Sequence, residues 1–307
     1  MILSCGEALI DMLPRVTAEG EAAFAPHAGG AVFNTAIALG RLGAPSGFFS
    51  GLSTDLFGAI LTETLTASKV DSHLAARSGR PTTLAFVRLV NGQASYAFYD
   101  ENTAGRMLSV ADLPALPASV EALFFGGISL VNDPAAGAYE ALLTREAGAR
   151  VIMMDPNIRP GFITDAAAYR ARIGRMMALS DIVKLSDEDL VWLEGAGDPV
   201  ALARGLVAKG PKVVCITEGA RGALAVTARD VVRVAAQKVA VVDTVGAGDT
   251  FNAGVLAALH QAGALSKAAV AAADAGLLTA ALTLGVKAAA VTVSRAGANP
   301  PWAHEIA

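Results

Sequence analysis

Val241-Val-Asp243-Thr-Val-Gly246-Ala247-Gly248-Asp249-Thr-Phe251-Asn252-Ala-Gly254 runs into Val255-Leu-Ala-Ala-Leu259, and the order of residue types spells a strand, a glycine turn and a helix. Glycines just ahead of a helix let backbone amides converge, and with the helix N-terminus they form an anion hole suited to a phosphate. Asp249 at that spot has two readings. It is an N-cap, since Asp is among the favoured capping residues, or a general base placed where amides hold an anion and a hydroxyl can lose its proton. Other phosphate motifs fail: no Gly-x-x-x-x-Gly-Lys-[Ser/Thr] occurs, and Phe251 stands where Gly-x-Gly-x-x-Gly needs its third glycine. The His-Arg-Asp and Asp-Phe-Gly pair of protein kinases is missing too.

Working back from that segment, short apolar runs alternate with Ala/Leu-rich stretches. Ala122 to Gly126, Val151 to Met154, Ile182 to Leu185, Val213 to Thr217 and Ala223 to Val226 read as strands, and Ala135 to Ala147, Ala166 to Ala178 and Pro199 to Lys209 read as helices. Near-continuous apolar strands between helices imply an α/β fold with a mostly parallel sheet covered on both faces. Met1 to Met12 reads as a first strand closed by Asp11, and a helix begins at about Ala31 and stops at Gly43. Residues 12 to 30 and 80 to 104 break the rhythm with alternating stretches, and Asn91-Gly92 between Thr83-Leu-Ala-Phe-Val-Arg-Leu-Val90 and Gln93-Ala-Ser-Tyr-Ala-Phe-Tyr99 signals a hairpin with a type I′ turn. The expectation is one domain over 1–307 carrying a small β-sheet lid.

With 53% hydrophobic and 17% charged residues among 307, the chain can bury a large core and is not disordered. A net charge of −4 without a run of five like charges favours neither nucleic acid nor an anionic membrane, so a small molecule is the expected partner. Cys5 and Cys215 sit inside apolar runs and suggest a reducing, cytoplasmic setting without disulfides. His27, His73, His260 and His304 show no metal spacing. Glu7 and Asp11 interrupt the first apolar run too early for a signal peptide, and the uncharged stretch Ala275 to Val286 falls short of the ~18 residues of a membrane span.

Asp243-Thr-x-Gly-Ala-Gly-Asp249-x-Phe251 resembles the C-terminal motif of the ribokinase-like (PfkB) carbohydrate kinases. Ala28-Gly29-Gly30-Ala31-x-x-Asn34-Thr-Ala, Leu39-Gly40-Arg-Leu-Gly43 and Gly51-Leu-x-x-Asp55-x-x-Gly58 match the family's N-terminal pattern, so the resemblance spans essentially the whole chain. Ile2 to Leu13 and Tyr96-Ala-Phe-Tyr-Asp-Glu-Asn-Thr-Ala-Gly-Arg-Met are most similar to the bacterial fructokinases within it. The resemblance implies a three-layer α/β/α domain with a β lid, and transfer of the ATP γ-phosphoryl group to a sugar hydroxyl with Mg²⁺; one face of that lid is either solvated or the seam of a homodimer. Fructose is the expected acceptor, 2-keto-3-deoxygluconate the nearest rival, and a catalytically silent sugar sensor the alternative of another class.

By the same resemblance Asp249 is the base, and the amides of Gly246, Ala247 and Gly248 stabilise the transferring phosphoryl. Asp155-Pro-Asn157-Ile-Arg159 resembles an Asp-x-Asn-x-Arg loop in which Arg159 faces phosphates or acceptor, or is a solvated loop arginine. Lys184-Leu-Ser186-Asp-Glu188 resembles Asn-x-x-Glu with Ser186 in place of Asn, so that Lys184 belongs to the nucleotide site and Glu188 holds Mg²⁺ through water. Those residues also read as a helix start with Ser186 as its cap. Thr217-Glu-Gly219-Ala-Arg-Gly222 resembles the nucleotide loop or is a plain turn. Asp11, Gly29, Gly30, Asn34, Phe98 and Asn102 are the implied sugar contacts, a carboxylate being able to accept from two neighbouring hydroxyls. Asp243 is a candidate ligand of K⁺, or a strand-end residue bonding local amides. Asp100 and Glu101 would make the mouth of the acceptor cleft negative.

Overall fold

The computed structural model describes residues 1–90 and 93–306. In chain order its strands are β1 (Ile2–Cys5), β2 (Leu9–Val16), β3 (Ala22–Gly29), β4 (Ser46–Phe49), β5 (Gly51–Ser53), β6 (Val70–Asp71), β7 (Ala76–Ser78), β8 (Leu84–Val90), β9 (Gln93–Tyr99), β10 (Ala122–Gly126), β11 (Val151–Asp155), β12 (Ile182–Ser186), β13 (Val213–Thr217), β14 (Ala223–Val226) and β15 (Val231–Val234). The helices are α1 (Ala31–Arg41), α2 (Leu56–Ala67), α3 (Ala135–Glu146), α4 (Ala166–Leu179), α5 (Asp187–Glu194), α6 (Pro199–Val207), α7 (Ala247–Gln261), α8 (Lys267–Ala271) and α9 (Ala275–Val293).

Nine strands form one sheet in the order β15-β14-β13-β12-β11-β10-β1-β4-β6, parallel from β13 to β6, with β14 and β15 antiparallel at one edge. Period-two alternation explains why the strands are apolar on both faces: Ile2, Met153, Val213 and Cys215 join one core, while Leu3, Ile152, Met154, Val214 and Ile216 join another on the opposite face, with Asp155 and Lys184 as buried charged exceptions. The first core takes its cover from α1, α2, α7 and α9, and the second from α3 to α6. Both cysteines are free and buried in these layers.

Helix α7 crosses α9 at very short range, because a Cβ on Gly254 would lie 2.6 Å from the Gly285 Cα. Helix α9 runs past the uncharged stretch through Lys287 to Val293, and its 19 residues are long and apolar enough to cross a membrane by length and composition. Here it lies along α7 and against β14 and β15, with Leu278, Leu282 and Val286 in the core.

A second sheet, ordered β3-β2-β8-β9, stands apart from the first. Its strands pair antiparallel except β2 with β8. The Asn91-Gly92 turn lies outside the described residues; the strands on either side of it pair antiparallel in the expected register, Val90 opposite Gln93.

Two expectations are corrected. Met1 to Met12 is not one strand: Gly6-Glu7-Ala8 divides it, sending Ile2–Cys5 into the main sheet and Asp11 into the small one. Val241 and Val242 form no strand either. They are 64% and 63% exposed, and the amides of Val242 and Asp243 donate instead to the Val293 carbonyl at the end of α9, at 2.8 and 3.2 Å.

Candidate active site: two clefts meeting at a glycine turn

Gly246 opens α7 in left-handed backbone (φ 78°), and a Cβ there would collide with Ala298. The turn it makes separates two clefts that share Thr244, Ala247 and Gly248. One, of about 620 Å³, is walled by the turn after β13, the segment 236–241, Phe251 and the α9 residues Val286, Ala289 and Val293. The other, of about 360 Å³, lies between the small sheet, the start of α1 and the loop after β11.

Asp249 lines the second cleft at the third position of α7. The cap position belongs to Gly246, so Asp249 is not the N-cap. Its side chain is 7% exposed, its Oδ2 accepts from Asn34 Nδ2 at 2.9 Å, and its carbonyl accepts from the Thr35 hydroxyl at 3.3 Å. Burial pushes its pKa up to about 7, with the charges of Asp155 and Glu7 adding and the Asn34 bond and Lys184 opposing. A carboxyl poised there takes up a proton near neutrality. By its place in the helix, the Gly248 amide has no intrahelical acceptor and is directed outward from the N-terminus.

Around the same cleft the structure gathers Asp11, Gly30, Asn34, Phe98 and Arg159. Burial raises the Asp11 pKa to about 6. Gly29 does not line the cleft, but a Cβ on it would overlap the Asp11 carboxylate. Phe98 stacks edge-on against Phe162 with centroids 4.6 Å apart. Arg159 is exposed on its loop and donates to the Ile158 carbonyl at 3.0 Å. Asn102 is not brought in; it sits in an exposed turn after β9 with φ 60°. Asp100 is not at this cleft either. It pairs with Arg106 at 3.0 Å beside a smaller neighbouring cavity, so the charge expected of Asp100 at the mouth is offset by a cation.

Thr217, Gly219 and Gly222 line the larger cleft. Gly222 has φ 100° and no room for a Cβ against the Val234 carbonyl, so the turn can hug the strand it faces. Lys184 enters neither cleft: it is buried under the glycine turn. Glu188 is exposed in the first turn of α5. Ser186 caps that helix, accepting from the Asp189 amide at 3.0 Å while Asp189 Oδ2 accepts from the Ser186 amide at 3.1 Å. Counted from Ser186, the i, i+3 position is this buried Asp189 rather than Glu188; its Oδ1 accepts from the Ile158 amide at 2.9 Å and supports the Arg159 loop. Asp243 accepts from the Val245 and Gly297 amides at 3.0 and 2.9 Å.

Glu7 was not anticipated. It lines the smaller cleft, its Oε1 accepts from the Ala31 amide that opens α1 at 2.9 Å, and its Oε2 accepts from the Ser129 amide at 3.2 Å. Gly127, with φ 66°, leaves room for that carboxylate. Its only sequence signal is a lone acid between two apolar runs. The segment Ala236 to Val239, which closes the larger cleft, was also missed and carries no motif.

The profile of the pfkB family of carbohydrate kinases matches residues 1–305. The fructokinase of Rhizobium leguminosarum bv. trifolii is 60% identical over 274 residues, covering 89% of this chain and 84% of that protein. Among solved structures, the fructokinase of Xylella fastidiosa with bound ATP superposes with a TM-score of 0.87 at 28% identity, over 97% of this chain and 93% of the other. A double mutant of the Vibrio cholerae fructokinase, bound to fructose, ADP and potassium ion, gives 0.82 at 25% identity, over 97% and 93%.

Proposed function

The chain belongs to the pfkB family of carbohydrate kinases, and on that premise we propose that it transfers the γ-phosphoryl group of ATP to a hydroxyl of fructose, giving fructose 6-phosphate. The observation that carries this reading is the junction itself: two clefts of unequal size meet at Gly246–Gly248, with a buried carboxyl on the side of the smaller one. ATP occupies the larger cleft, its base against Val241, Phe251 and Val286 and its phosphates directed at the turn. Fructose occupies the smaller, where Asp11 and Asn34 exchange hydrogen bonds with its hydroxyls.

Asp249 accepts the proton of the attacking hydroxyl as the new O–P bond forms and the bond to the ADP oxygen breaks. The first-turn amides of α7 and the Arg159 guanidinium stabilise the charge spread over the transferring group, which is where this chemistry gains most of its rate. Mg²⁺ carried on the nucleotide would neutralise phosphate charge. Glu188, exposed in the first turn of α5, is the residue that would hold such an ion through water. Asp243, on the loop behind the turn, is the candidate for a K⁺ contact.

A neutral ketose suits the acceptor cleft better than a sugar acid, because Glu7, Asp11 and Asp249 line it against the single cation Arg159 among the described residues. The intact turn and buried Asp249 argue for catalysis over mere sugar sensing. We read the chain as one kinase domain whose small sheet is the lid. That sheet presents an aromatic row, Phe24, Phe86 and Tyr99, with centroids 5.0 and 5.5 Å apart, and Phe24 and Tyr99 are 48% and 58% exposed. Such a face supports a homodimer through the lid; light scattering should give twice the chain mass, and Phe24→Asp should halve it. The two free cysteines support a reducing, cytoplasmic setting. The direct test is ATP turnover across fructose, other ketoses and 2-keto-3-deoxygluconate; ATP consumption indifferent to fructose would sink the proposal.

A further inference from the structure

Lys184 is 3% exposed, and an ammonium that deep persists only when paired. Its Nζ donates to Asp155 Oδ2 at 2.9 Å, and Asn252 Nδ2 donates to the same oxygen at 2.7 Å. Asp155 Oδ1 accepts from the Asn157 amide at 3.1 Å, at the start of the Arg159 loop. One carboxylate thus ties that loop to β12 and to α7, one turn beyond Asp249. A Cβ on Gly248 would lie 3.0 Å from Lys184 Nζ, so the ammonium takes the room a side chain at 248 would need. A buried ion pair is often no more stabilising than an apolar replacement of the same volume, so stability alone does not account for it.

We infer that Lys184 is a positioning residue for phosphoryl transfer: its ammonium backs the Gly246–Gly248 turn and, through Asp155 and Asn252, holds the Arg159 loop and the Asp249 helix in one register. The inference rests on the reading of Asp249 as the base. Lys184 faces Asp155 from β11, Asp189 from α5 and Asp249 from α7, with the Cys215 thiol near it on β13. Asp249 in turn faces Asp155, Lys184 and Glu7, and its carboxyl is held by Asn34. Lys184 is the one cation in that set. Removing it leaves Asp249 among like charges and tightens its hold on the proton.

In Lys184→Gln the acidic limb of the kcat/KM profile for fructose should move up by about one pH unit, the scale of losing a near opposite charge. Amide hydrogens of residues 246–252 should exchange at least about tenfold faster, since the turn has lost its backing. A limb and exchange rates like those of the unmodified protein would overturn the inference. If Lys184→Gln does not fold, Lys184→Gln/Asp155→Asn removes both charges together; it should keep the limb near its original position while losing at least about tenfold in kcat and exchanging faster at the turn. Unchanged kcat and exchange in that folded double variant would equally overturn it. Absence of fructose-dependent turnover in the unmodified protein would instead sink the kinase reading, and the exchange comparison would still decide the role of Lys184.

Discussion

Asn34 and Asp249 lie 215 positions apart and are joined by a 2.9 Å hydrogen bond from the amide nitrogen to the carboxylate. Each sits in the first turn of a helix that opens at a glycine with positive φ, Gly30 at 112° and Gly246 at 78°. Two helix N-termini therefore address one cleft, and the protein's own carboxylates already meet them, Glu7 at the Ala31 amide and Asp249 in the first turn of α7. The N-terminal and C-terminal glycine motifs are halves of one site, bridged by this contact.

Asp249→Asn keeps the volume and can still pair with Asn34 after an amide rotation, but it cannot accept a proton. Turnover should fall by about 10²- to 10⁴-fold, the range for loss of a general base, while calorimetric ADP binding stays within a few-fold. A folded variant with near-normal turnover removes Asp249 from the base role.

Because burial raises the Asp249 pKa to about 7, kcat/KM should decline as pH falls through that value and level off above it. The sign follows from the role: a base works deprotonated, so protons inhibit. Asn34 donates to the ionised form and opposes the upward shift, so Asn34→Leu should move the limb to higher pH. A limb near pH 4 in the unmodified protein would contradict the buried carboxyl.

How much of this was legible in the sequence divides by range. Gly246, Gly248 and Asp249 were readable because a glycine turn before a helix is a local event. Strands such as Val213–Thr217 were readable because both faces are buried and Val213 to Ile216 are all apolar. Val241-Val242 misleads for the same reason: an apolar pair looks like a strand, yet Val241 walls the larger cleft and the amides of Val242 and Asp243 bond to the end of α9. Glu7 and the Asp155–Lys184 pair could not be read, since Ser129 is 122 positions from Glu7, and Asp155 and Lys184 meet only across neighbouring strands from 29 positions apart. Glu188 stands for the motif's Glu only through the resemblance; the register of the capping box decides which acid is buried, and that acid is Asp189.

Gly254 and Gly285 set the spacing of α7 against α9, and α7 carries Asp249. Gly254→Val would force backbone apart at a contact of 2.6 Å, costing at least the ~1–3 kcal/mol typical of overpacking. A Tm lowered by several degrees with a parallel loss of turnover is expected; an unchanged melting curve would mean the helices separate freely.

Asp243 straps its loop to Val245 and Gly297, next to the turn proposed to hold the phosphoryl group. K⁺ bound near it should raise activity by ordering Gly246–Gly248, and Asp243→Ala should abolish that activation as well as lower the basal rate. Equal rates in K⁺ and in tetramethylammonium at matched ionic strength would exclude the effect.

Charge in the acceptor cleft sets the last expectation. Glu7, Asp11 and Asp249 line the smaller cleft with Arg159 as the lone cation among the described lining residues, so a substrate carboxylate placed there would meet like charge in a partly desolvated space. A neutral ketose meets no such penalty. Fructose should therefore exceed 2-keto-3-deoxygluconate by at least about tenfold in kcat/KM, roughly 1.4 kcal/mol of transition-state stabilisation. Asp100 is paired with Arg106 away from this cleft, so Asp100→Asn should leave that ratio within about threefold of the original. If the ratio instead collapses in Asp100→Asn, the discrimination comes from the lid rather than from the cleft carboxylates. Equal efficiencies in the unmodified protein would refute the preference for a neutral sugar altogether.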